Sequence, residues 1–328
     1  MNKKVFTKVW QCFALASVFM VTSGCSKGVL FTATSAQRDN VTNSGLSGTA
    51  APVVPDSTTI NNNVTNVTQN ICDPFGSETM VGPENGLSGK IYYLLNGKVG
   101  DYNGVIDMMA KSSKLDANLF LSELAVRTRI FDQGFPTQDQ TLIKLPDGRV
   151  LTEFFALSLN SKLHLAAWDK PGLKQFALLT DDGSILSVDT GTGMRPLIDN
   201  DGNHPTRLLV AKDTVFMDHT SSVPIHVDYF QGPRLHIALM LLWRDIADVN
   251  GTGEANSTIL DPDSLDEPLD GREGNELFFN PSTKPSTPQA AWYQLRARGW
   301  DMVPAINYLL PGSGTQSTNP CSTKPLVL

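Results

Sequence analysis

The chain has 328 residues, of which 41% are hydrophobic and 18% are charged, and its formal net charge is −7. A length of this order predicts one large domain or two small ones, and the apolar fraction is sufficient for a core. The excess of acidic residues argues against a nucleic-acid partner, which selects a basic face, and against adsorption to anionic lipid through charge.

The first 24 residues have the pattern of a signal peptide. Lys3, Lys4 and Lys8 form a positive start, which is followed by an apolar run at 9–21 and by small residues at 22–24. An apolar run of about 13 residues is too short to span a bilayer but suits an export signal. We therefore predict that this segment is removed on export.

Cys25 directly follows the small residues, and this arrangement resembles a bacterial lipobox. In that type of signal the cysteine is acylated and becomes the first residue of the mature protein. The resemblance implies a lipoprotein whose acyl chains enter the bilayer. Because Ser26 provides no aspartate retention signal, we expect an outer-membrane or surface location in the cell envelope. An ordinary cleaved signal peptide with a chance cysteine is the alternative.

The sequence contains four cysteines, two of which lie beyond Cys25. Cys12 leaves with the predicted signal peptide, so Cys72 and Cys321 remain at opposite ends of the predicted folded region. In an oxidising compartment two remaining cysteines usually pair, and we expect a disulfide between them. Two free or separately buried thiols are the alternative. The spacing of cysteines and histidines does not suit a structural zinc site.

Residues 25–71 are rich in Ser, Thr, Asn, Val and Gly and show no apolar face of any period. This composition predicts a flexible tether. About 45 such residues have a root-mean-square reach near 40 Å, enough to hold a domain clear of lipid headgroups. We place one folded domain at residues 72–321 and a short tail at 322–328.

Short strand patterns, separated by turn residues, dominate the region between the tether and the tail. Apolar or alternating runs are found at 90–95, 125–131, 150–159, 175–180, 223–229 and 235–243. The last run is apolar on both faces, as expected of a central strand. Many short strands with turns that contain Gly and Asp predict an all-β sandwich or barrel.

Helix signals are few. Residues 288–298 predict a helix, because Thr287 is a suitable N-cap and Gly299 suits the position after the end. Residues 105–111 predict one or two further turns. The stretch 250–280 is rich in Asp, Glu, Pro and Gly, and we interpret it as a long insertion loop.

Five segments, in order, resemble those of PA14 domains, a family of β-sandwiches found in bacterial toxins, glycosidases and fungal adhesins. The central segment is Phe-Ala-Leu-Leu-Thr-Asp-Asp-Gly-Ser-Ile-Leu-Ser-Val-Asp at 176–189. The others lie at 131–136, which resembles the fibro-slime-like branch, at 197–204, at 223–243, where we expect a hairpin, and at 300–305. The resemblance covers about residues 86–310 and implies a PA14-like β-sandwich with a few short helices.

Asp181 and Asp182 form the predicted binding site. Two adjacent carboxylates repel each other unless a cation lies beside them, and hard oxygen ligands suit calcium. In sugar-binding PA14 adhesins the matching pair, joined by a cis peptide bond, holds Ca²⁺, and the ion ligates sugar hydroxyls. The resemblance implies Ca²⁺ ligation by Asp181 and Asp182, with Gln231 at the position of a further asparagine ligand. A plain hairpin turn at 181–183 is the alternative.

Other polar motifs carry weaker signals. Residues 199–202 resemble half of a calcium loop, but the later bidentate acid is missing and a polar turn is the simpler interpretation. No H-E-x-x-H or G-x-S-x-G motif nominates a catalytic group, so we expect no enzyme.

The expected function is that of a membrane-anchored surface lipoprotein that binds carbohydrate or a cell-surface protein. A structural scaffold of the cell envelope, without sugar binding, is the alternative.

Overall fold

The computed structural model describes residues 68–76, 82–233, 236–246, 269–312 and 319–321. The predicted signal peptide, Cys25, most of the predicted tether and the tail at 322–328 lie outside these ranges. Across the described ranges, no helix has both the length and the apolar character needed to cross a membrane.

Strands make up most of the regular structure. In chain order they are β1 (Gln69–Cys72), β2 (Leu87–Tyr93), β3 (Ser113–Lys114), β4 (Ala117–Leu121), β5 (Ala125–Ile130), β6 (Phe155–Leu163), β7 (Gly172–Asp181), β8 (Ser184–Val188), β9 (Arg195–Asn200), β10 (Arg207–Met217), β11 (Val223–Gln231), β12 (His236–Ile246), β13 (Phe279–Asn280), β14 (Thr287–Pro288), β15 (Asp301–Met302) and β16 (Tyr308–Leu309). The helices of the described part are α1 (Gly104–Lys111), α2 (Ala290–Ala297) and a 3₁₀ turn at Ala305–Asn307.

Two sheets pack face to face and confirm the all-β sandwich. The larger sheet has the strand order β1-β4-β2-β6-β11-β8-β9, with β3 beside β2 and β16 beside β6. The smaller sheet has the order β10-β7-β12-β15, with β5 also beside β12. Strand neighbours in both sheets are antiparallel, apart from the parallel pair β1 and β4.

The main core lies between the sheets and follows the two-residue period of the strands. Buried apolar side chains on the inner faces include Leu157, Leu159, Val227 and Tyr229 from the larger sheet and Phe176, Leu178, Leu239 and Leu241 from the smaller one. A second cluster covers the outer face of the smaller sheet, where Leu179 and Met240 pack with Trp292 of α2. Strands β7 and β12 are therefore buried on both faces, which confirms the prediction of a central strand at 235–243.

A third cluster covers part of the outer face of the larger sheet. Val105 and Met108 of α1 pack with Tyr102, Ala156 and Phe230. This contact confirms the helix predicted at 105–111. It also brings the segment before α1 next to the end of β11, which matters for the site described below.

Three details differ from the sequence-based expectations. β1 begins inside the predicted tether, because its backbone pairs with β4 and only Ile71 is fully buried, so no apolar pattern marks it. α2 begins at Ala290 and not at 288, because Thr287 and Pro288 form β14 with β13. Within the predicted insertion loop, residues 269–280 pack on the smaller sheet through Leu269 and Phe279.

The hairpin expected at 223–243 is wrong. β11 pairs with β6 and β8 in the larger sheet, whereas β12 pairs with β7 and β5 in the smaller sheet. The chain therefore crosses from one sheet to the other after Gln231. The plain hairpin turn considered at 181–183 is wrong for the same reason, since β7 and β8 also belong to different sheets.

A disulfide joins Cys72 and Cys321 and confirms the predicted pairing. The two Cα atoms lie 5.5 Å apart, and the cysteines are separated by 249 positions in the sequence. Cys72 is the last residue of β1, at the edge of the larger sheet, so the bond fixes the C-terminal segment to that edge. In the chain-entropy model, closing a loop of this length contributes about 5 kcal/mol to the free energy of unfolding.

Candidate functional site

Three chain crossings between the sheets meet at one end of the sandwich. The first runs from β7 to β8, the second from β9 to β10 and the third from β11 to β12. The strands before the three crossings all finish at the same end of the sandwich. The polar residues of the three connections therefore come together. The predicted pair Asp181–Asp182 lies in the first of these crossings.

Asp181 and Asp182 are buried side by side. Their peptide bond is cis, the geometry that the PA14 resemblance implied, and their side chains are only 5% and 6% exposed. Asp181 Oδ2 accepts a hydrogen bond from the Thr206 hydroxyl at 3.2 Å. The Thr206 hydroxyl lies 3.0 Å from that of Thr128, so a chain of two hydroxyls from β5 and the second crossing ends on this carboxylate.

The Asp182 carboxylate connects all three crossings. Its Oδ2 accepts a hydrogen bond from the Gly232 backbone N–H at 2.7 Å, in the third crossing. Its Oδ1 accepts one from the His204 backbone N–H at 3.2 Å, in the second. A charged acceptor roughly doubles the strength of such bonds, so Asp182 fixes the two neighbouring loops to its own.

Gly232 marks a point where oxygen atoms from three segments converge. A methyl group added to its Cα would lie 2.6 Å from Tyr102 Oη, 2.9 Å from Asn203 Oδ1 and 3.0 Å from Asp182 Oδ2. The Tyr102 hydroxyl donates to Asn203 Oδ1 at 2.8 Å. A side chain at this position would displace these oxygens, so glycine lets the backbone approach them closely.

Burial dominates the electrostatics of the pair. It raises the pKa of Asp181 from the ordinary value of 3.8 to about 8, and the charge of Asp182 adds to the shift. Burial likewise raises the pKa of Asp182, against which the N–H groups of Gly232 and His204 act in the opposite direction. Without a neighbouring cation, the folded protein therefore resists carrying both negative charges.

Gln231 lies at the site, but its side-chain hydrogen bonds within the described residues go to Tyr229 and Pro233 and not to either carboxylate. Its amide oxygen lies 2.8 Å from the Tyr229 hydroxyl, which also contacts the Asp181 backbone carbonyl. Its amide nitrogen donates to the Pro233 carbonyl at 3.3 Å. To bind an ion, the Gln231 side chain would have to leave these contacts, so its role as a ligand stays a prediction.

Asn203 and Tyr102 are site residues that the sequence interpretation missed. A signal for Asn203 was present, because it lies in the segment 197–204 that resembles PA14 domains. Tyr102 had no such signal, since it reaches the site only because α1 packs on the larger sheet. Asp201 lies close by but holds α1, since its carboxylate accepts from the Val105 N–H at 2.9 Å. Asp199 and Asn200 belong to β9, so only residues 201–202 of the segment interpreted as a polar turn lie outside a strand.

The oxygen atoms of the site suit a hard cation. The two acids balance the charge of a divalent ion, and Asn203 Oδ1 supplies a neutral oxygen next to Asp182. The described residues contain no group of three or more His, Cys, Asp or Glu side chains able to hold a metal ion. Calcium bound here would thus complete its coordination with amide oxygen, water and ligand, as calcium sites commonly do.

Histidines do not form a second centre in the described part of the chain. His226 lies on β11 in the larger sheet, where its ring contacts Asn160 and Asp228 at 2.9 Å each. His236 lies on β12 in the smaller sheet, 3.0 Å from the Asn275 amide nitrogen. The two rings therefore belong to different sheets, because β11 and β12 do not form the hairpin expected at 223–243.

Comparison with known proteins gives structural matches only, since no family model and no curated protein matches the chain. A PA14 sugar-binding domain from an RTX adhesin is 16% identical, with a TM-score of 0.30 over 49% of this chain and 90% of that one. The Epithelial Adhesin 6 A domain from Candida glabrata, in complex with Galb1-3GlcNAc, is 18% identical, with a TM-score of 0.32 over 67% and 96%.

An anti-sigma factor domain-containing protein also matches, with 16% identity and a TM-score of 0.33. The match covers 50% of this chain and spans 43% of that protein. At these identities and TM-scores the matches assign no function, and the functional argument rests on the site itself.

The raised pKa of Asp181 predicts how stability depends on pH. The folded state keeps a proton that the unfolded chain releases, so the free energy of unfolding of the metal-free protein falls as pH rises from about 4 to about 8. We expect Asp181→Asn to remove this part of the fall, by up to about 1.4 kcal/mol per pH unit.

Urea unfolding in the presence of a chelator, across that pH range, measures the difference. Asp116→Asn, which changes an exposed carboxylate between β3 and β4, is the matched control and keeps the wild-type slope. Equal slopes for Asp181→Asn and the wild-type protein would show that the carboxyl group is not forced to hold its proton.

Proposed function

We propose that the domain is a calcium-dependent carbohydrate-binding module presented on the cell surface. One observation carries the proposal: the Asp182 carboxylate lies with oxygens of Asn203 and Tyr102 where three crossings meet, and the residue before it, Asp181, carries a second buried carboxylate. A set of oxygen donors with two acids suits calcium and the hydroxyls of a sugar. The ligand class comes from the resemblance of the motifs to sugar-binding PA14 adhesins.

Each residue of the site has its own role in the proposed function. Asp181 and Asp182 would hold the ion, and Asn203 would offer an amide oxygen beside it. Calcium, when bound, supplies coordination positions that sugar hydroxyls can fill. Asp182 keeps the surrounding loops in place through the Gly232 and His204 amides. The Tyr102 ring packs edge-on to Phe230, with centroids 5.3 Å apart, and gives this arrangement a rigid base.

We propose binding and not catalysis because of how the acids are placed. They belong to adjacent residues at the end of one strand, whereas the acid pair of a glycoside hydrolase faces its substrate from two sides of a cleft. Each also accepts hydrogen bonds from groups of the chain itself, Thr206 for Asp181 and two backbone amides for Asp182.

A structural scaffold is the second candidate, and a specific observation favours it. Both oxygens of Asp182 already accept backbone N–H groups, so this carboxylate stabilises the loops even without an ion. In that case the domain would serve as an assembly piece of the envelope and would bind a protein partner.

A glycan array probed with the full chain separates the two candidates. We expect binding in calcium, loss of binding in chelator, and at least a tenfold weaker signal for Asp181→Asn, because the ion loses one of its two charged ligands. The control variant Asp116→Asn keeps the wild-type signal. Binding to a stable protein partner that is unchanged by Asp181→Asn and by chelator, with no glycan signal, would favour the scaffold.

We further propose that an acyl group on Cys25 anchors the protein to the outer membrane, with the segment that follows as its tether. The support is the coincidence of an apolar run, small residues and a cysteine at the end of the export signal. Labelled palmitate should enter the wild-type protein and not Cys25→Ser, which should appear in the soluble fraction. A Cys25→Ser protein that remains with the membrane would contradict the anchor.

A further inference from the structure

A cavity of about 620 Å³ lies beside β5, lined by none of the residues of the calcium site. Its walls come from three separate parts of the chain: β5 and the residues after it, the turn after β1 at 73–76, and the segment 281–286 before β14. Cavities of this size hold small ligands in other proteins. The lining includes both aromatic rings and charged groups, so its chemistry can be examined residue by residue.

Arg127 and Arg129 of β5, together with Lys284, supply the positive charge of the lining. The pairing of β5 with β12 is irregular between the two arginines, and each guanidinium lies over a different aromatic ring. The Arg127 guanidinium lies 5.6 Å from the centroid of the Phe279 ring, and that of Arg129 lies 5.8 Å from the Phe75 ring. Burial lowers the pKa of Arg129, while the negative charge of Asp73 opposes the shift.

Arg127 and Ser286 leave hydrogen-bonding capacity unused within the described residues. The one hydrogen bond of the Arg127 guanidinium there goes to the Ser286 carbonyl at 3.5 Å, which is long for such a bond, and no described carboxylate pairs with it. Ser286 is only 5% exposed. Its Oγ is buried, yet this oxygen has no hydrogen-bond partner among the described residues. A guanidinium and a buried hydroxyl that both lack a good acceptor suit a ligand with a carboxylate.

Acidic residues in the lining narrow the ligand class. Asp73, Glu123 and Asp132 also line the cavity. Asp73 accepts from the Ser122 hydroxyl and Asp132 from the Gln133 amide. A ligand whose polar groups are all negatively charged would be repelled by these carboxylates. A ligand that also carries hydroxyl groups can donate to them.

We propose that this cavity binds a hydroxylated carboxylate of the uronic acid class, either free or within a short saccharide. Its carboxylate would accept from Arg127, and from the Ser286 hydroxyl once this side chain turns its buried Oγ towards the cavity. Its hydroxyls would face the side of Asp73 and Asp132. The ring would lie against the apolar part of the lining, which includes Ile130 and Pro285.

Calorimetric titration of the full chain tests the proposal with three classes of probe. Glucuronate and galacturonate carry the carboxylate and the hydroxyls, glucose and galactose carry only the hydroxyls, and acetate carries only the carboxylate. We expect measurable binding of a uronate, and at least tenfold weaker binding of the matched neutral sugar and of acetate.

Variants locate the site. Arg127→Met should weaken uronate binding at least tenfold and Ser286→Ala by a few-fold, because each removes a donor to the carboxylate. Arg195→Met is the matched control, since Arg195 is half exposed on β9 and lies near Asp213. Asp181→Asn and chelator should leave uronate binding unchanged, which separates this cavity from the calcium site.

Three results would overturn the proposal. Acetate binding as tight as uronate binding would reduce the cavity to an anion site. Uronate binding that survives Arg127→Met would place the ligand elsewhere. Absence of uronate binding by a folded wild-type chain, judged by its circular dichroism, would show that the cavity does not take this class of ligand.

Discussion

The Asp182 carboxylate is the interaction on which the arrangement of the site depends. Its two oxygens accept backbone amides from two other crossings, so one side chain fixes three loops that carry no regular structure of their own. The strands bring the loops to one end of the sandwich, but strand pairing does not set the loop positions. Asn203 and Tyr102 stand beside Asp182 because the loop and the helix that bear them are held there.

The same arrangement creates an electrostatic problem that a cation would solve. Asp181 and Asp182 are both nearly inaccessible to water, and burial raises the pKa of each. Backbone amides of two other residues stabilise the charge on Asp182, whereas, among the described residues, the hydrogen bonds that lower the pKa of Asp181 come from Thr206 alone. The fold therefore retains a pair of acids whose ionisation is costly without a partner of opposite charge, and such perturbed acids cluster at functional sites.

The sequence predicted the strands, the disulfide and the aspartate pair because each has a local or compositional signature. The apolar run of β12 and the small set of cysteines in a chain with a predicted export signal are examples. It did not predict which sheet a strand joins, since the alternation in β11 looks the same in a hairpin and in a crossing. Tyr102 and the arginine cavity beside β5 were also missed, because their residues meet only through packing between segments distant in sequence.

Calcium binding by the full chain in the absence of sugar tests the central claim most directly. Titration calorimetry should show one calcium ion bound per chain and no binding to Asp181→Asn, with both proteins folded by circular dichroism. An absence of calcium binding to the wild-type chain, or equal binding to the variant, would contradict the account. The aspartate pair would then only stabilise the loops, and the domain would be a scaffold.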